Sequence, residues 1–325
     1  MKGVILDSGS LHPADLSWTK LEATVSELQH FQQTTTDQLD QHLAGADIAL
    51  SNKVVLDAAT LSRHKNLKLI VVLATGTNNI DLEAAARLGI RVCNNVGYST
   101  HSLVEHGLAL MLALARKLPA YQHAVRQGAW QRSEQFCLLE PPIQQLAGSQ
   151  LGIIGAGASG SGLAGVARAM GMNTVALESS RNAGDKEADL PRVSMAELLS
   201  SSDVISVHCP LTAKTRGLIG QAELRAMKTS ALLINTARGG IVDEQALCDA
   251  LRKGEIAGAA LDVLSEEPPV NGNPLLDLYH PNLIITPHNA WGSQRARQAL
   301  IDQSADIIEA FQRGKLKNCV NLSEE

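Results

Sequence analysis

The chain has 325 residues, of which 45% are hydrophobic and 19% are charged, and its formal net charge at pH 7 is -5. This composition is typical of a globular protein with ample core, and the length predicts two domains. Because the mild acidity is spread without long blocks of like charge, it gives no basic patch for nucleic acid or an anionic membrane, and a small molecule is the expected partner.

The cysteines and the N-terminal residues indicate the cellular compartment. The five cysteines are odd in number, widely spaced and free of C-x-x-C pairs, which predicts reduced thiols and no metal site. The opening MKGVILDSGS predicts a first strand and not a signal peptide, since Asp7 interrupts its apolar run. The longest apolar run, 108–115, is shorter than the roughly 18 residues of a membrane span. We therefore expect a cytoplasmic protein.

Short apolar strands alternate with helical stretches along the chain, which predicts an α/β fold of mostly parallel sheets covered by helices. Long helical stretches at 102–118 and 291–313 are the expected crossings between domains. The predicted strands are 3–6, 47–51, 67–74 and 91–94 in the first part, and 151–154, 174–177, 204–208, 231–235, 258–263 and 283–286 in the second.

A glycine motif follows the strand at 151–154. Gly155, Gly157 and Gly160 form G-x-G-x-x-G between that strand and a helical segment. The first glycine permits a tight turn, the second lets the backbone approach a pyrophosphate, and the third lets helix and strand pack closely. The helix N-terminus would present N–H groups to the phosphates. The motif predicts a dinucleotide site in the middle of the chain.

An acidic residue supports this interpretation. Glu178 ends the next strand, eighteen residues after Gly160, where dinucleotide-binding folds keep a carboxylate for the adenosine ribose hydroxyls. A carboxylate there also repels a 2′-phosphate, which favours NAD over NADP, although Arg181 could partly offset the repulsion.

Three later stretches place charged groups after predicted strands. Arg238 lies in INTARGG, Glu266 and Glu267 lie in LDVLSEEPP, and His288 lies in ITPHNAWGS. Each alone is as well explained by a solvated charge or a polar turn. Together they suit hydride transfer to a 2-keto acid, which needs a cation for the carboxylate, a proton donor, and an acid that keeps the donor charged.

The motifs as a set resemble the D-2-hydroxyacid dehydrogenase family. They are G-x-G-x-x-G with its acidic residue, SVHCPLT (206–212), NTARGGIVDEQAL (235–247), GAALDVLSEEP (258–268) and TPHNAWGS (286–293). FCLLEPPIQQLAG and ITPHNAWGSQRARQ resemble its glycerate dehydrogenase, or hydroxypyruvate reductase, branch. The resemblance runs from about Asn52 to near the end.

This resemblance implies two doubly wound parallel-sheet domains. A central Rossmann NAD-binding domain would span 100–291, and a discontinuous flavodoxin-like substrate domain would span 1–99 and 292–325. It also implies a homodimer, with Trp130 and Phe136 in a loop that lies near the dimer contact in relatives.

The resemblance further implies a catalytic trio of Arg238, Glu267 and His288, the glutamate being the one directly before proline. Substrate contacts would come from Asn52, Thr75 and Gly76 together with Arg238 and His288. The implied contacts to NAD are Gly155, Gly157, Ala158, Ser159, Gly160, Glu178, Cys209, Pro210, Thr236, Ala237, Arg238, Asp262 and His288.

The resulting hypothesis is NADH-dependent reduction of hydroxypyruvate to D-glycerate, with glyoxylate as a further substrate. Alternatives are a dehydrogenase for D-lactate or 3-phosphoglycerate and an NAD-sensing binding protein like the corepressors of the family. The nucleotide helix departs from the family at Ser159, where relatives carry a branched apolar residue, and at Gly162 and Gly165, where they carry helix formers. These glycines either allow closer packing or loosen the helix.

Overall fold

The computed structural model describes residues 1–178 and 190–321, so Arg181 lies outside the described residues. The chain divides into two compact units, one of Met1–Ser99 with Trp291–Glu325 and the other of Thr100–Ala290. Within the described residues, each unit is built on one parallel sheet. None of the helices in the described ranges is long and apolar enough to cross a membrane.

The first unit holds a five-stranded sheet in the order β2-β1-β3-β4-β5, which is the flavodoxin-like order. Its strands are β1 Lys2–Ile5, β2 Glu27–His30, β3 Ile48–Ser51, β4 Leu69–Val72 and β5 Arg91–Asn94. Its helices, numbered in chain order through both units, are α1 Thr19–Glu22, α2 Leu39–His42, α3 Ala58–Arg63, α4 Leu82–Arg87 and α11 Gln294–Gln312, with short 3-10 turns at Ser8–Leu11 and Pro13–Asp15.

The central strands of this sheet are buried on both faces, which explains their continuous apolar runs. The edge strand β2, with the sequence ELQH, is largely exposed and carries no such signal, so the sequence did not predict it. Helices α3 and α4 begin at aspartate caps: Asp57 accepts from Thr60 N and Asp81 from Ala84 N.

The second unit holds a seven-stranded sheet in the order β12-β11-β10-β9-β6-β7-β8, all parallel. This is the Rossmann order extended by one strand, and the predicted fold class is confirmed. The strands are β6 Gln150–Ile154, β7 Asn173–Leu177, β8 Arg192–Val193, β9 Val204–Val207, β10 Leu232–Asn235, β11 Gly258–Leu261 and β12 Leu283–Ile285. The helices are α5 Thr100–Ala115, α6 Leu118–Arg126, α7 Ala158–Ala169, α8 Met195–Ser201, α9 Gln221–Ala226 and α10 Glu244–Lys253.

The two unusual glycines of α7 differ in their surroundings. A Cβ at Gly162 would lie 2.7 Å from Val104 Cγ2, so this glycine lets α5 and α7 approach closely. At Gly165, no atom of the described residues lies within 4 Å of the equivalent position. Close packing therefore accounts for Gly162, and nothing in the structure explains Gly165.

Candidate active site

The predicted catalytic side chains follow three neighbouring strands at one edge of the second sheet. Arg238 follows β10, Glu267 follows β11 and His288 follows β12, and these strands pair in that order. In open parallel sheets, this carboxyl edge is where ligands bind. The topology thus collects residues that are far apart in the chain.

His288 and Glu267 form a direct pair. His288 Nδ1 lies 2.6 Å from Glu267 Oε2, and Glu267 Oε1 accepts from the Leu264 N–H at 2.8 Å. Glu266, the other candidate, instead accepts from Asn271 Nδ2 at 2.7 Å. Because Nδ1 is hydrogen-bonded to the carboxylate, Nε2 is the ring nitrogen through which a proton would pass to a substrate.

The backbone of His288 adopts the left-handed region, with φ of 52°, which is uncommon for a residue other than glycine. Its N–H donates to the Asp262 carbonyl at 2.8 Å. The Asp262 carboxylate, only 1% exposed, accepts from Thr286 Oγ1 and from the N–H groups of Asn289 and Ala290. Asp262 therefore shapes the segment 286–290 that carries His288. Its predicted contact with the cofactor stays a prediction.

Arg238 lies in a turn that Asn235 organises. Asn235 Nδ2 donates to the Arg238 carbonyl at 3.0 Å, and its Oδ1 accepts from the Ala237 N–H at 3.0 Å. A Cβ at Gly239 would collide with the Leu264 carbonyl. Since Leu264 also contacts Glu267, the turn that bears Arg238 packs directly against the loop that bears the glutamate.

The glycine motif forms a cradle at the end of β6. Gly155 has φ of 100°, and a Cβ there would lie 2.6 Å from Cys209 N. A Cβ at Gly160 would collide with the Gly155 carbonyl, which explains the close helix packing. At Gly157, the N-cap of α7, no described atom lies within 4 Å of the added Cβ. This open approach to a helix N-terminus fits a pyrophosphate.

Other residues predicted to contact the cofactor lie in the same unit. Glu178 is exposed directly after β7, and Ala158 is exposed at the start of α7, with Ser159 half-buried beside it. Thr236 is 6% exposed, and its Oγ1 has no hydrogen-bond partner among the described residues. A buried hydroxyl without a partner, directly after β10, suits the polar groups of a bound ribose or carboxamide. The donors present therefore fit a dinucleotide.

Cys209 and Pro210 follow β9, with Cys209 half-buried and Pro210 exposed. Burial raises the pKa of the Cys209 thiol, which favours a packing role over that of a nucleophile. Among the described residues, no group of histidine, cysteine, aspartate or glutamate side chains is arranged to hold a metal ion.

His208, beside Cys209, was not singled out by the sequence. Burial lowers its pKa to about 4, and its Nε2 lies 2.9 Å from Ser206 Oγ. The folded protein thus keeps this imidazole neutral where an unfolded chain, with a pKa near 6.5, would protonate it. Because protonation then favours the unfolded state, stability contributed by this site is lost as pH falls from about 6.5 towards 4.

We expect His208→Gln to flatten this pH dependence. From pH 8 to pH 5, the free energy of unfolding of the wild type should fall by about 2 kcal/mol more than that of the variant. Urea unfolding at both pH values measures the difference. His101→Gln, at an exposed position, is the control that should follow the wild type. Equal pH slopes for His208→Gln and the wild type would contradict the assignment.

The predicted substrate residues of the first unit lie after β3 and β4. Thr75 Oγ1 donates to the Asn95 carbonyl at 2.9 Å, which orders the loop that contains Gly76. Asn52 is buried, and its Nδ2 donates to Ser10 Oγ at 3.0 Å. Their contacts with a substrate stay predictions.

Comparison with known proteins decides the family. Residues 108–290 match the family described as "D-isomer specific 2-hydroxyacid dehydrogenase, NAD binding domain". The chain belongs to this family. The dehydrogenase is 46% identical to a glycerate dehydrogenase of Methylorubrum extorquens over 92% of its own length and 96% of the relative's. It is 35% identical to a hydroxypyruvate reductase of Blautia hydrogenotrophica, over 99% and 100% of the two chains.

A solved structure agrees in fold. The D-lactate dehydrogenase of Aquifex aeolicus, complexed with NAD and lactic acid, superposes on the dehydrogenase with a TM-score of 0.84. It is 28% identical, and the match covers 99% of this chain and 100% of that one. The protein is therefore an NAD(P)-dependent 2-hydroxyacid dehydrogenase, which confirms the enzyme class predicted from the sequence.

Proposed function

We propose that this dehydrogenase uses NADH to reduce hydroxypyruvate to D-glycerate. Glyoxylate would be a further substrate. The observation that carries the proposal is the 2.6 Å pair of His288 and Glu267 at the sheet edge that also bears Arg238. Relatives named glycerate dehydrogenase and hydroxypyruvate reductase support the choice of acid.

The roles follow from the chemistry of each group. A bound reduced nicotinamide would supply the hydride. Arg238 offers a planar fork of donors that suits a carboxylate. His288 delivers a proton from Nε2 to the carbonyl oxygen of the substrate as negative charge develops there. Glu267 holds the ring through Nδ1 and so fixes the direction in which Nε2 points.

A substrate panel tests the proposal. Consumption of NADH is followed separately with hydroxypyruvate, glyoxylate, pyruvate and 3-phosphohydroxypyruvate. We expect the highest kcat/KM for hydroxypyruvate, followed by glyoxylate. A higher value for pyruvate or the phosphorylated acid would overturn the choice of substrate. Binding of NADH without turnover of any of the four would favour the NAD-sensing alternative.

For the cofactor we propose NAD over NADP, because Glu178 is exposed directly after β7, where dinucleotide-binding folds keep a carboxylate that would repel a 2′-phosphate. Glu178→Gln should lower the ratio of kcat/KM for NADH to that for NADPH by about tenfold, since a like-charge repulsion of about 1.4 kcal/mol is removed. Glu197→Gln, on α8, is the control, and its ratio should match the wild type. An unchanged ratio in Glu178→Gln would show that another group sets the preference.

We also propose a homodimer. Three large apolar side chains in the segment after α6 are strongly exposed: Trp130 by 54%, Phe136 by 89% and Leu139 by 69%. Clustered exposed apolar residues mark interaction surfaces, and a second copy of the chain would bury them. Sedimentation should give twice the chain mass of 34.5 kDa.

Phe136→Asp should then weaken the dimer at least about tenfold, because a charge replaces a buried aromatic ring. Tyr279→Asp, at a similarly exposed aromatic outside this segment, should leave the dimer intact. A monomeric wild type, or equal effects of the two variants, would contradict this assignment of the dimer surface.

A further inference from the structure

Helix α5 sends two side chains onto the segment 286–290. Ser102 Oγ donates to the Ala290 carbonyl at 2.6 Å, and His106 Nε2 lies 3.1 Å from Thr286 Oγ1. Ser102 and His106 are four residues apart and so share one face of the helix. The helix therefore contacts both ends of the segment, Thr286 and Ala290, on either side of His288.

The hydrogen-bond directions in this network follow from its donors and acceptors. The Thr286 hydroxyl has one proton, which it gives to Asp262 Oδ1. A lone pair of Thr286 Oγ1 therefore faces His106, so His106 Nε2 carries the hydrogen and donates. His106 Nε2 also lies 3.7 Å from Asp262 Oδ1. The result is a row of hydrogen bonds in which His106 donates to Thr286 and Thr286 donates to Asp262.

The far end of this row determines the backbone around the proton donor. Asp262 Oδ1 and Oδ2 accept the N–H groups of Asn289 and Ala290 at 3.0 and 2.9 Å. Together with the Thr286 hydrogen bond on the other side, they bracket His288, whose left-handed conformation persists only where its surroundings hold it. The hydrogen bonds of this partly buried network strengthen one another, so loss of an outer member weakens the others.

We propose that His106 is a positioning residue for the reaction: through Thr286 and Asp262 it holds the segment that aims His288. The proposal rests on the proposed role of His288 as proton donor. His106 would not contact the substrate, the cofactor or the reacting atoms. Its contribution would appear in turnover and in the order of the His288 ring.

Two substitutions of His106 test this. His106→Leu removes the hydrogen-bond donor, while leucine has a high helix propensity and so preserves α5. We expect kcat to fall about tenfold. KM for the keto acid and Kd for NADH should stay within about twofold, because the glycine cradle of α7 is untouched. His106→Gln retains an N–H donor at a similar reach and should restore kcat to within about threefold of the wild type. A loss of thermal stability with unchanged kcat in His106→Leu would overturn the proposal, and so would failure of glutamine to rescue.

A double-mutant cycle tests the route. Thr286→Val removes the hydroxyl that links His106 to Asp262. If His106 acts through that hydroxyl, the double variant His106→Leu/Thr286→Val should lose no more kcat than Thr286→Val alone. Losses that multiply would show that His106 acts elsewhere. If His106→Leu does not fold, Thr286→Val alone tests the link: kcat should fall about tenfold, and an unchanged kcat would overturn the proposal.

A spectroscopic arm separates this inference from the proposed function. In protein labelled with ¹⁵N-histidine and free of cofactor, the Nδ1–H resonance of His288 is identified by its loss in His288→Gln. It should broaden in His106→Leu and stay sharp in His106→Gln. A sharp resonance in His106→Leu would overturn the positioning role even if His288 is the donor. Full turnover by His288→Gln would instead overturn the proposed mechanism.

Discussion

Replacement of His288 by glutamine is expected to lower kcat by about 10²–10⁴-fold, the range that general acid catalysis typically contributes. Glutamine is close in size to histidine and can still donate a hydrogen bond to Glu267, so the 2.6 Å contact has a substitute. It has no group that releases a proton near neutral pH. The loss should therefore fall on the chemical step.

Stopped-flow mixing and NADH fluorescence titration separate this effect from binding. The single-turnover rate should fall with kcat, while Kd for NADH should stay within a few-fold of the wild type, because the glycine cradle and Glu178 are unaltered. His101→Gln, at an exposed histidine of α5, should keep full activity. Turnover of His288→Gln within about tenfold of the wild type would assign the proton to another group.

The fold was largely predictable because parallel strands buried on both faces appear as continuous apolar runs. β5 was predicted with its observed bounds, Arg91–Asn94, and β10 to within one residue. The edge strands β2 and β8 were missed. β2 has only one apolar residue and β8 is two residues long, so neither carries an apolar run, and their pairing depends on the neighbouring strand.

The candidate site was predictable where chemistry and strand position coincide, as for His288 and for Glu267 before its proline. The supporting contacts were not. His106 lies on an apolar helix, and Asp262 was assigned to the cofactor because of the family motif. Their hydrogen bonds to Thr286 join residues far apart in the chain, which no local pattern encodes. The neutral His208 likewise depends on burial that only the assembled sheet provides.

Gly239→Ala is expected to lower kcat/KM by about 10²-fold, because one methyl group would disturb both the turn that bears Arg238 and the loop that bears Glu267. Its Cβ would collide with the Leu264 carbonyl, and the N–H of Leu264 donates to Glu267 Oε1 at 2.8 Å. Displacement of Leu264 therefore moves the acid that holds His288, while displacement of residue 239 moves Arg238. Misplacement of reacting groups by about 1 Å is enough for a loss of this size.

Leu264 cannot simply give way, because its neighbour is anchored. Ser265 N donates to Glu244 Oε1 at 2.6 Å and Ser265 Oγ to Glu244 Oε2 at 2.7 Å, at the start of α10. The strain should also lower the free energy of unfolding by about 1–3 kcal/mol, measurable in urea. Gly165→Ala is the matched control: its added methyl has open space, so it should raise helix stability by about 0.5–1 kcal/mol and leave kcat/KM unchanged. If Gly239→Ala kept kcat/KM within threefold, the turn of Arg238 and the loop of Glu267 would not be mechanically coupled as this contact requires.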